Sequence, residues 1–126
     1  AGMLNGEKTG FRPTVEDMYA GYTIIENKFT GNTTIGIVMT NACFDKSRLC
    51  KIAGMAQNGV ARSIRPVHTS ADGDSVYAMS VGTVQADMDM VGTLAADVMS
   101  EAILSAVKNA ETAYGYISAN DFLTEY

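Results

Sequence analysis

The chain has 126 residues and a formal net charge of −5, and no run of Lys or Arg forms a basic stripe. With 47% hydrophobic and 18% charged residues, it has the composition of one modest globular domain rather than of a disordered chain. The acidic charge excludes nucleic acid and anionic membrane surfaces from the expected partners.

Residues 1–32 are weakly patterned, and glycines and a proline interrupt their first stretch. Thr14, which precedes Glu16 and Asp17, predicts a short helix, since Thr can cap a helix and acidic side chains complement its positive end. Residues 29–32 predict a turn or an exposed loop. We expect no independent core in this stretch.

The pattern changes at Thr33. Residues 33–40 are rich in β-branched side chains and predict a strand. Because nearly every residue after Thr34 is apolar, we expect this strand to be buried on both faces.

A helix is predicted from Asp45 onward, because apolar residues recur at spacings of three and four until Pro66, which ends the pattern. Gly54 and Gly59 lower the helix propensity, and close approach to a neighbouring sheet would explain their presence. The apolar positions of this helix are Leu49, Ile52, Ala53, Ala56, Val60 and Ile64.

A second strand is predicted at residues 75–81, after a polar loop over residues 66–74. Residues 87–113 then predict one long amphipathic helix, whose many alanines indicate tight packing against a flat surface. The order strand, helix, strand, helix predicts an α/β fold with helices layered on a sheet. The apolar stripe of the long helix comprises Val91, Leu94, Ala95, Val98, Met99, Ala102, Ile103, Ala106 and Val107.

Cys43 and Cys50 are too few for a disulfide framework, and we expect both to be reduced and buried as small apolar residues. His68 is the only histidine, so no metal site is expected and His68 is interpreted as a loop residue. The N-terminus has neither the basic nor the apolar region of a signal peptide, and no apolar run approaches the roughly 18–20 residues that span a bilayer. We expect a cytoplasmic protein without cofactor or membrane contact.

The Gly31–Asn32–Thr33–Thr34 sequence has two interpretations. In the first, Gly and Asn form a turn and a β-branched Thr begins the strand, and residue types alone favour this. In the second, the Thr33 hydroxyl attacks the carbonyl of Asn32, an ester forms, and water releases a new N-terminal Thr. The freed α-amine, with an unperturbed pKa near 8, would then activate its own hydroxyl as a nucleophile.

Two carboxylates flank a glycine in Asp72–Gly73–Asp74. This sequence is typical of an ordinary Asp-Gly turn, but it also enters a predicted strand. If both strand starts meet at one end of the sheet, Asp72 and Asp74 lie near Thr33. There they could bind the α-ammonium and orient the hydroxyl.

Three blocks, at residues 31–42, 59–69 and 72–78, occur in an order that resembles the self-processing peptidase family S58. That family includes the L-aminopeptidase/D-esterase, the β-peptidyl aminopeptidases and the nylon-oligomer hydrolases. The resemblance runs over most of residues 1–115. It looks closest to the nylon-oligomer hydrolase branch, in which an Asn-Thr bond is cut, because Asp72 stands where the aminopeptidase branch has Ser.

The resemblance implies part of a four-layer α/β/β/α sandwich, similar to ornithine acetyltransferase and of the N-terminal nucleophile (Ntn) hydrolase type. It also implies autocatalytic cleavage between Asn32 and Thr33. Residues 1–32 would then hold the end of the N-terminal piece and the cleavage loop, and residues 33–126 would be the C-terminal, nucleophile-bearing piece.

By position, the resemblance implies Thr33 as the nucleophile and Asp72 and Asp74 as the residues that orient it. The oxyanion-hole Asn and a catalytic Lys or Tyr of the family lie in the N-terminal piece. The expected partners are therefore the missing N-terminal piece of the same precursor, further copies in a homo-oligomer, and a small peptide or amide substrate.

The implied function is hydrolysis of a short peptide or amide through an acyl-enzyme on Thr33. One alternative is N-acyl transfer of the ornithine acetyltransferase type, in which an amine captures the acyl group. Another is a self-processed assembly subunit without catalytic activity.

Overall fold

The computed structural model describes residues 3–4, 7, 11–21 and 33–123. Within these ranges the chain is mixed α/β, with a small parallel sheet and two long helices. The elements are β1 (Met3–Leu4), β2 (Phe11–Arg12), α1 (Thr14–Tyr19), β3 (Ile35–Ala42), α2 (Lys46–Ser63), β4 (Ser75–Val84), α3 (Met88–Asn109) and α4 (Asn120–Leu123).

The short helix near the N-terminus forms where the sequence predicts it. Thr14 is its first residue, but Pro13 occupies the N-cap position without a side-chain cap hydrogen bond, so the expected capping role of Thr14 is wrong. Pro13 has the extended backbone that N-cap residues usually adopt, and its carbonyl accepts the Glu16 N–H at 3.1 Å.

The strands β3 and β4 pair in parallel, with Ile35 opposite Ser75 and Thr40 opposite Ser80. Parallel strands need a crossover connection, which α2 supplies. The register shifts beyond Thr40, and the Cys43 N–H donates to the Val84 carbonyl at 2.8 Å. This pairing extends β4 beyond its predicted end at residue 81.

The helix α2 confirms the predicted helix after Asp45. An Asp45 carboxylate oxygen accepts the Arg48 N–H at 2.8 Å, which satisfies one of the unpaired donors of the first turn. Gly59 is buried against α3, whereas Gly54 faces open space within the described part of the chain. The expected approach of both glycines to a sheet is therefore wrong, since the close neighbour of Gly59 is another helix.

The helix α3 begins where predicted, with Asp87 capping the Met90 N–H at 2.9 Å, but ends at Asn109 rather than at residue 113. The small residues of this helix allow it to lie close to α2. Leu94 and Val98, predicted to belong to the core stripe, are exposed. The buried residues of α3 are Gly92, Ala95, Ala96 and Met99.

The core lies between the two long helices and one face of the sheet. Ile52 and Val60 are its largest fully buried side chains, and each contributes about 1.5–3 kcal/mol through burial. Val38, Val76 and Ala78 pack against this cluster from the sheet. The cluster comprises Ala42, Phe44, Ile52, Ala56, Val60, Ala95 and Met99.

The opposite face of the sheet is apolar and exposed in this chain. The expected burial of residues 33–40 on both faces is therefore wrong for the chain as described, because alternate side chains of a strand point to opposite faces and the helices cover only one of them. Ile35, for example, is 69% exposed. The exposed side chains of this outer face are Ile35, Ile37, Met39, Tyr77, Met79 and Val81.

Cys43 and Cys50 are free, as predicted, but both are exposed, so the expectation that they are buried is wrong. Cys50 lies on α2 away from the core, where polar residues such as Ser47 and Lys51 are its neighbours. Its side chain therefore does not serve as a core residue in this chain.

By length and composition α3 could cross a membrane, since an 18-residue window within Met88–Asn109 has a mean hydropathy of 1.4. The expectation that no apolar run approaches the length needed to span a bilayer is therefore wrong for α3. The same test is passed by core helices of soluble proteins, and α3 packs one face against α2. One such helix is weak evidence for a membrane span.

Hydrogen bonds around Asp121 organise the segment that follows α3. Its carboxylate accepts from the Thr112 hydroxyl and from both the N–H and the hydroxyl of Ser118. These bonds favour the ionised carboxylate and hold the pKa of Asp121 below its usual value, with the Thr112 bond contributing most. The stabilisation is present above the unfolded-state pKa and is lost as the pH falls through the lowered one.

Candidate functional site

The starts of the two parallel strands bring the predicted site residues together. Because the strands run in the same direction and Ile35 lies opposite Ser75, the residues that precede each strand meet at the same edge of the sheet. Thr33 and Thr34 precede β3, and Gly73 and Asp74 precede β4. Residues 40 positions apart in sequence thus become neighbours.

The backbone of Thr34 is fixed on both sides by the loop before β4. Its N–H donates to an Asp74 carboxylate oxygen at 2.7 Å, and its carbonyl accepts the Ser75 N–H at 2.9 Å. A hydrogen bond to a carboxylate is shorter and stronger than a neutral one. Since the Thr34 nitrogen forms the peptide bond to the Thr33 carbonyl, this contact also fixes the peptide plane directly after Thr33.

The side chain of Thr33 lies beside the main chain of Gly73. A Cβ placed on Gly73 would be 2.9 Å from the Thr33 hydroxyl oxygen and 3.7 Å from the Thr33 methyl carbon. Thr33 itself is exposed. The structure therefore presents an exposed Thr33 at the edge of the sheet, with its hydroxyl group against a glycine.

Asp72 makes its hydrogen bonds within its own loop. Its carboxylate accepts the Thr69 N–H at 2.6 Å, and its own N–H donates to the Thr69 carbonyl at 3.1 Å. These two bonds close a tight turn immediately before Gly73. Asp72 and Asp74, which the sequence pairs, thus have different contacts: Asp74 reaches the Thr34 backbone, and Asp72 shapes the loop that carries Asp74.

The other residues singled out from the sequence have simpler positions. His68 is exposed, with a ring nitrogen 2.9 Å from the Gln57 side-chain oxygen and a left-handed backbone (φ 56°), which agrees with its interpretation as a loop residue. Asn32, the predicted residue before the cleavage point, lies outside the described residues.

Sequence reasoning missed the contribution of Gly73. The sequence indicated an ordinary Asp-Gly turn at this position, whereas the structure places Gly73 against Thr33. The available signal was its position: it stands two residues before one strand, just as Thr33 stands two residues before the strand that pairs with it. In a parallel pair with this register, such residues are neighbours.

A family model described as Peptidase family S58 matches residues 3–120. An uncharacterized aminopeptidase of Mycobacterium leprae (strain TN) is 34% identical over an aligned length of 125 residues, and the match covers 86% of this chain and 34% of the relative. An uncharacterized aminopeptidase of Mycobacterium tuberculosis is 34% identical over an aligned length of 105 residues, and the match covers 71% of this chain and 30% of the relative.

A 6-aminohexanoate-oligomer endohydrolase of Kocuria sp. (strain KY2) is 30% identical over an aligned length of 91 residues, and the match covers 62% of this chain and 26% of the relative. The chain spans about a third or less of the length of these curated relatives. No solved structure gives a significant match. The relatives include both aminopeptidases and a hydrolase of nylon-type oligomers, and the family match extends over nearly the whole chain, so the chain belongs to peptidase family S58.

Proposed function

We propose that this chain carries the nucleophile of a self-cleaving amidohydrolase or aminopeptidase of the Ntn type, with Thr33 as the catalytic residue. The observation that carries the proposal is the geometry at the sheet edge. An exposed Thr33 hydroxyl lies against Gly73, and Asp74 holds the next peptide nitrogen at 2.7 Å. Membership of peptidase family S58 makes this geometry a candidate for hydrolysis rather than a plain strand start.

In the proposed self-cleavage, the Thr33 hydroxyl oxygen attacks the carbonyl carbon of Asn32. The bond between that carbon and the Thr33 nitrogen breaks, the nitrogen takes up a proton, and an ester joins Asn32 to the Thr33 side chain. Water then hydrolyses this ester, which leaves a carboxylate on Asn32 and a free α-amine on Thr33. Two bonds are exchanged, and water is the only co-reactant.

In turnover, the α-amine of Thr33 accepts the proton of its own hydroxyl, and the oxygen attacks the substrate carbonyl. The α-amine passes this proton to the amine part of the substrate, which leaves, and water then hydrolyses the ester, which releases the acyl group as a carboxylic acid and restores the Thr33 hydroxyl. An amine with a pKa near 8 is suited to this role at neutral pH, because a useful base has a pKa close to the working pH.

The two carboxylates have different parts in this proposal. Asp74 positions the peptide that follows Thr33 and supplies negative charge beside the new α-ammonium. Asp72 acts through the loop, since its bonds to Thr69 fix the turn from which Gly73 and Asp74 project. A carboxylate near an ammonium group favours its charged form, so the second oxygen of Asp74 would also tune the α-amine.

We propose that the N-terminal piece of the same precursor covers the outer face of the sheet. Six apolar side chains, from Ile35 to Val81, lie exposed on this face, which is a large apolar patch for a finished protein surface. Sheets pack face to face in this way, and a second sheet here would complete the four-layer α/β/β/α sandwich. The chain spans only about a third of its relatives, and a protein of their length would have enough further sequence to supply that layer.

The N-terminal piece would also complete the chemistry. Oxyanion donors commonly contribute about 3–4 kcal/mol to transition-state stabilisation, and the family places its donor in that piece. We therefore propose the working enzyme as residues 33–126 together with the N-terminal piece, assembled further into a homo-oligomer.

Short peptides or amides are the proposed substrates. The relatives are named aminopeptidase and 6-aminohexanoate-oligomer endohydrolase, and both names describe hydrolases. Acyl transfer to an amine would proceed through the same acyl-enzyme on Thr33. Analysis of the reaction products therefore distinguishes it from hydrolysis. Acetyl transfer to ornithine, in place of amide hydrolysis, would identify the transferase alternative.

The proposal predicts that the full-length precursor matures into two polypeptides. The new N-terminus should read Thr-Thr-Ile-Gly, starting at Thr33. N-terminal sequencing and intact-mass measurement after incubation at neutral pH check this directly. A single uncut polypeptide that nevertheless hydrolyses amides would contradict self-cleavage while leaving hydrolysis in place.

Replacing Asp74 with Asn should slow both self-cleavage and turnover by roughly 5- to 10-fold, because a charge-assisted hydrogen bond is worth about 1.5–3 kcal/mol and its neutral counterpart about 0.5–1.5 kcal/mol. The rates are measured in the full-length protein by gel densitometry and by hydrolysis of a p-nitroanilide. The matched control is Asp97→Asn, since Asp97 is exposed on α3 and pairs only with the exposed Arg62 among the described residues. Unchanged rates of self-cleavage and turnover in Asp74→Asn would contradict the proposed role of Asp74 in orienting Thr33.

A further inference from the structure

We propose that Gly73 is a positioning residue that sets the orientation of the Thr33 hydroxyl, an inference that rests on the proposed function of Thr33. The space that a side chain on residue 73 would fill is already taken by Thr33. A Cβ there would lie 2.9 Å from the hydroxyl oxygen, closer than real Cβ atoms come to their neighbours. Only a residue without Cβ leaves this orientation of Thr33 undisturbed.

The nearest atoms to an added Cβ on Gly73, those of its two chain neighbours aside, all belong to Thr33 among the described residues. The three nearest atoms to the added Cβ are the hydroxyl oxygen, the methyl carbon and the Cβ of Thr33, at 2.9, 3.7 and 3.9 Å. Gly59 and Gly82 differ, because an added Cβ there would collide with backbone atoms of a neighbouring element. A substitution at Gly73 therefore acts on one side chain and leaves the packing of the fold unchanged.

The backbone of Gly73 also accepts alanine. Its φ lies outside the left-handed region, in contrast to Gly21 and Gly115, so no backbone strain accompanies the substitution. The only adjustment required is in Thr33. Glycine at this position is thus explained by the neighbouring hydroxyl rather than by the turn.

The adjustment moves the reacting atom. Thr33 side-chain torsions have staggered minima, and a change of rotamer carries the hydroxyl oxygen about 2 Å away. The methyl carbon is also within 4 Å of the added Cβ, so it limits rotations that would carry it toward that Cβ. We therefore expect threonine to change rotamer, whereas serine, which lacks the methyl, can rotate slightly and keep its oxygen near the original position.

The test is the Gly73→Ala variant of the full-length precursor. Misplacement of a reacting group by about 1 Å costs about 100-fold in rate, so the self-cleavage rate and kcat should fall by about 100-fold. KM and Tm should stay within twofold and about 1 °C of the parent, because the substitution removes no substrate contact and no core contact. The control is Gly54→Ala, for which a Cβ meets no atom within 4 Å in the described chain, and both rates should be unchanged.

A double-mutant cycle gives the second readout. In a Thr33→Ser background, Gly73→Ala should reduce the rates by less than tenfold, so the two substitutions are non-additive. Equal rates for Gly73→Ala and the parent would overturn the proposal, as would an equal loss in both backgrounds or a loss accompanied by a large fall in Tm. If Thr33→Ala remains active, the proposed function itself fails. If Thr33→Ala is inactive and Gly73→Ala is fully active, only the role of Gly73 fails.

Discussion

Replacing Thr33 with Ala abolishes both self-cleavage and substrate turnover in the full-length protein, according to the proposed mechanism. The hydroxyl oxygen forms the ester in the first process and the acyl-enzyme in the second, so no other atom of the chain can substitute for it. Loss of a nucleophile lowers kcat by at least about 10³-fold in well-studied hydrolases. The effect is measured by N-terminal sequencing of the incubated precursor and by release of p-nitroaniline.

The neighbouring Thr34→Ala is the matched control for this substitution. Asp74 and Ser75 hold Thr34 through its main-chain N–H and carbonyl, and alanine keeps both groups. We therefore expect this variant to retain at least one of the two activities. Self-cleavage of Thr33→Ala at the normal position would contradict the mechanism, and so would equal losses in the two variants.

The helices and strands of this region could be predicted because local signals and tertiary packing agree there. Asp45 and Asp87 are followed by apolar residues in helical periodicity, and each caps the predicted helix. The ends were less well predicted. The helix α3 stops at Asn109 although the sequence through Ala113 remains compatible with a helix, and β4 continues to Val84 because of pairing with the chain after β3.

The error about the sheet has a physical reason that concerns the size of the chain. A strand that is apolar on both faces indicates two covering layers. Burial of Ile35 and Ile37 was expected for that reason. The structure covers only one face, because its two long helices lie on the same side. The sequence pattern thus predicts a covering layer on the outer face that the described residues do not supply.

The approach of the predicted residues to one edge of the sheet could be expected from the sequence, but their contacts could not. The resemblance to peptidase family S58 indicated Thr33, Asp72 and Asp74, and the register of β3 and β4 brings Thr33 and Asp74 to one edge. It could not indicate that Asp74 binds the backbone of the next residue, since a main-chain N–H belongs to every residue type except proline. The proposed role of Gly73 depends on how close its backbone lies to the Thr33 hydroxyl oxygen, and the sequence does not contain that distance.

The stability of the fold depends on Gly59, which allows α2 and α3 to approach. A Cβ on Gly59 would collide with the Ala96 carbonyl oxygen and lie 2.9 Å from the Met99 Cβ. Backbone atoms cannot move aside as a flexible side chain can, so Gly59→Ala should force the two helices apart at a cost of about 3 kcal/mol. Better helix propensity returns about 1 kcal/mol, and the net loss in free energy of unfolding is about 2 kcal/mol.

The same substitution at Gly54 should have the opposite sign. Gly54 lies on the exposed side of the same helix, where an added Cβ meets no described atom within 4 Å, so only the propensity gain of up to about 1 kcal/mol remains. Thermal unfolding of the two full-length variants therefore gives Tm changes in opposite directions. Equal stabilisation of both would mean that α2 and α3 are not in contact at Gly59, whereas destabilisation of both would mean that the surface around Gly54 is covered in the assembled protein. Comparing the two glycines separates the cost of helix contact from the intrinsic preference of the backbone, because the chemical change and the secondary structure are identical.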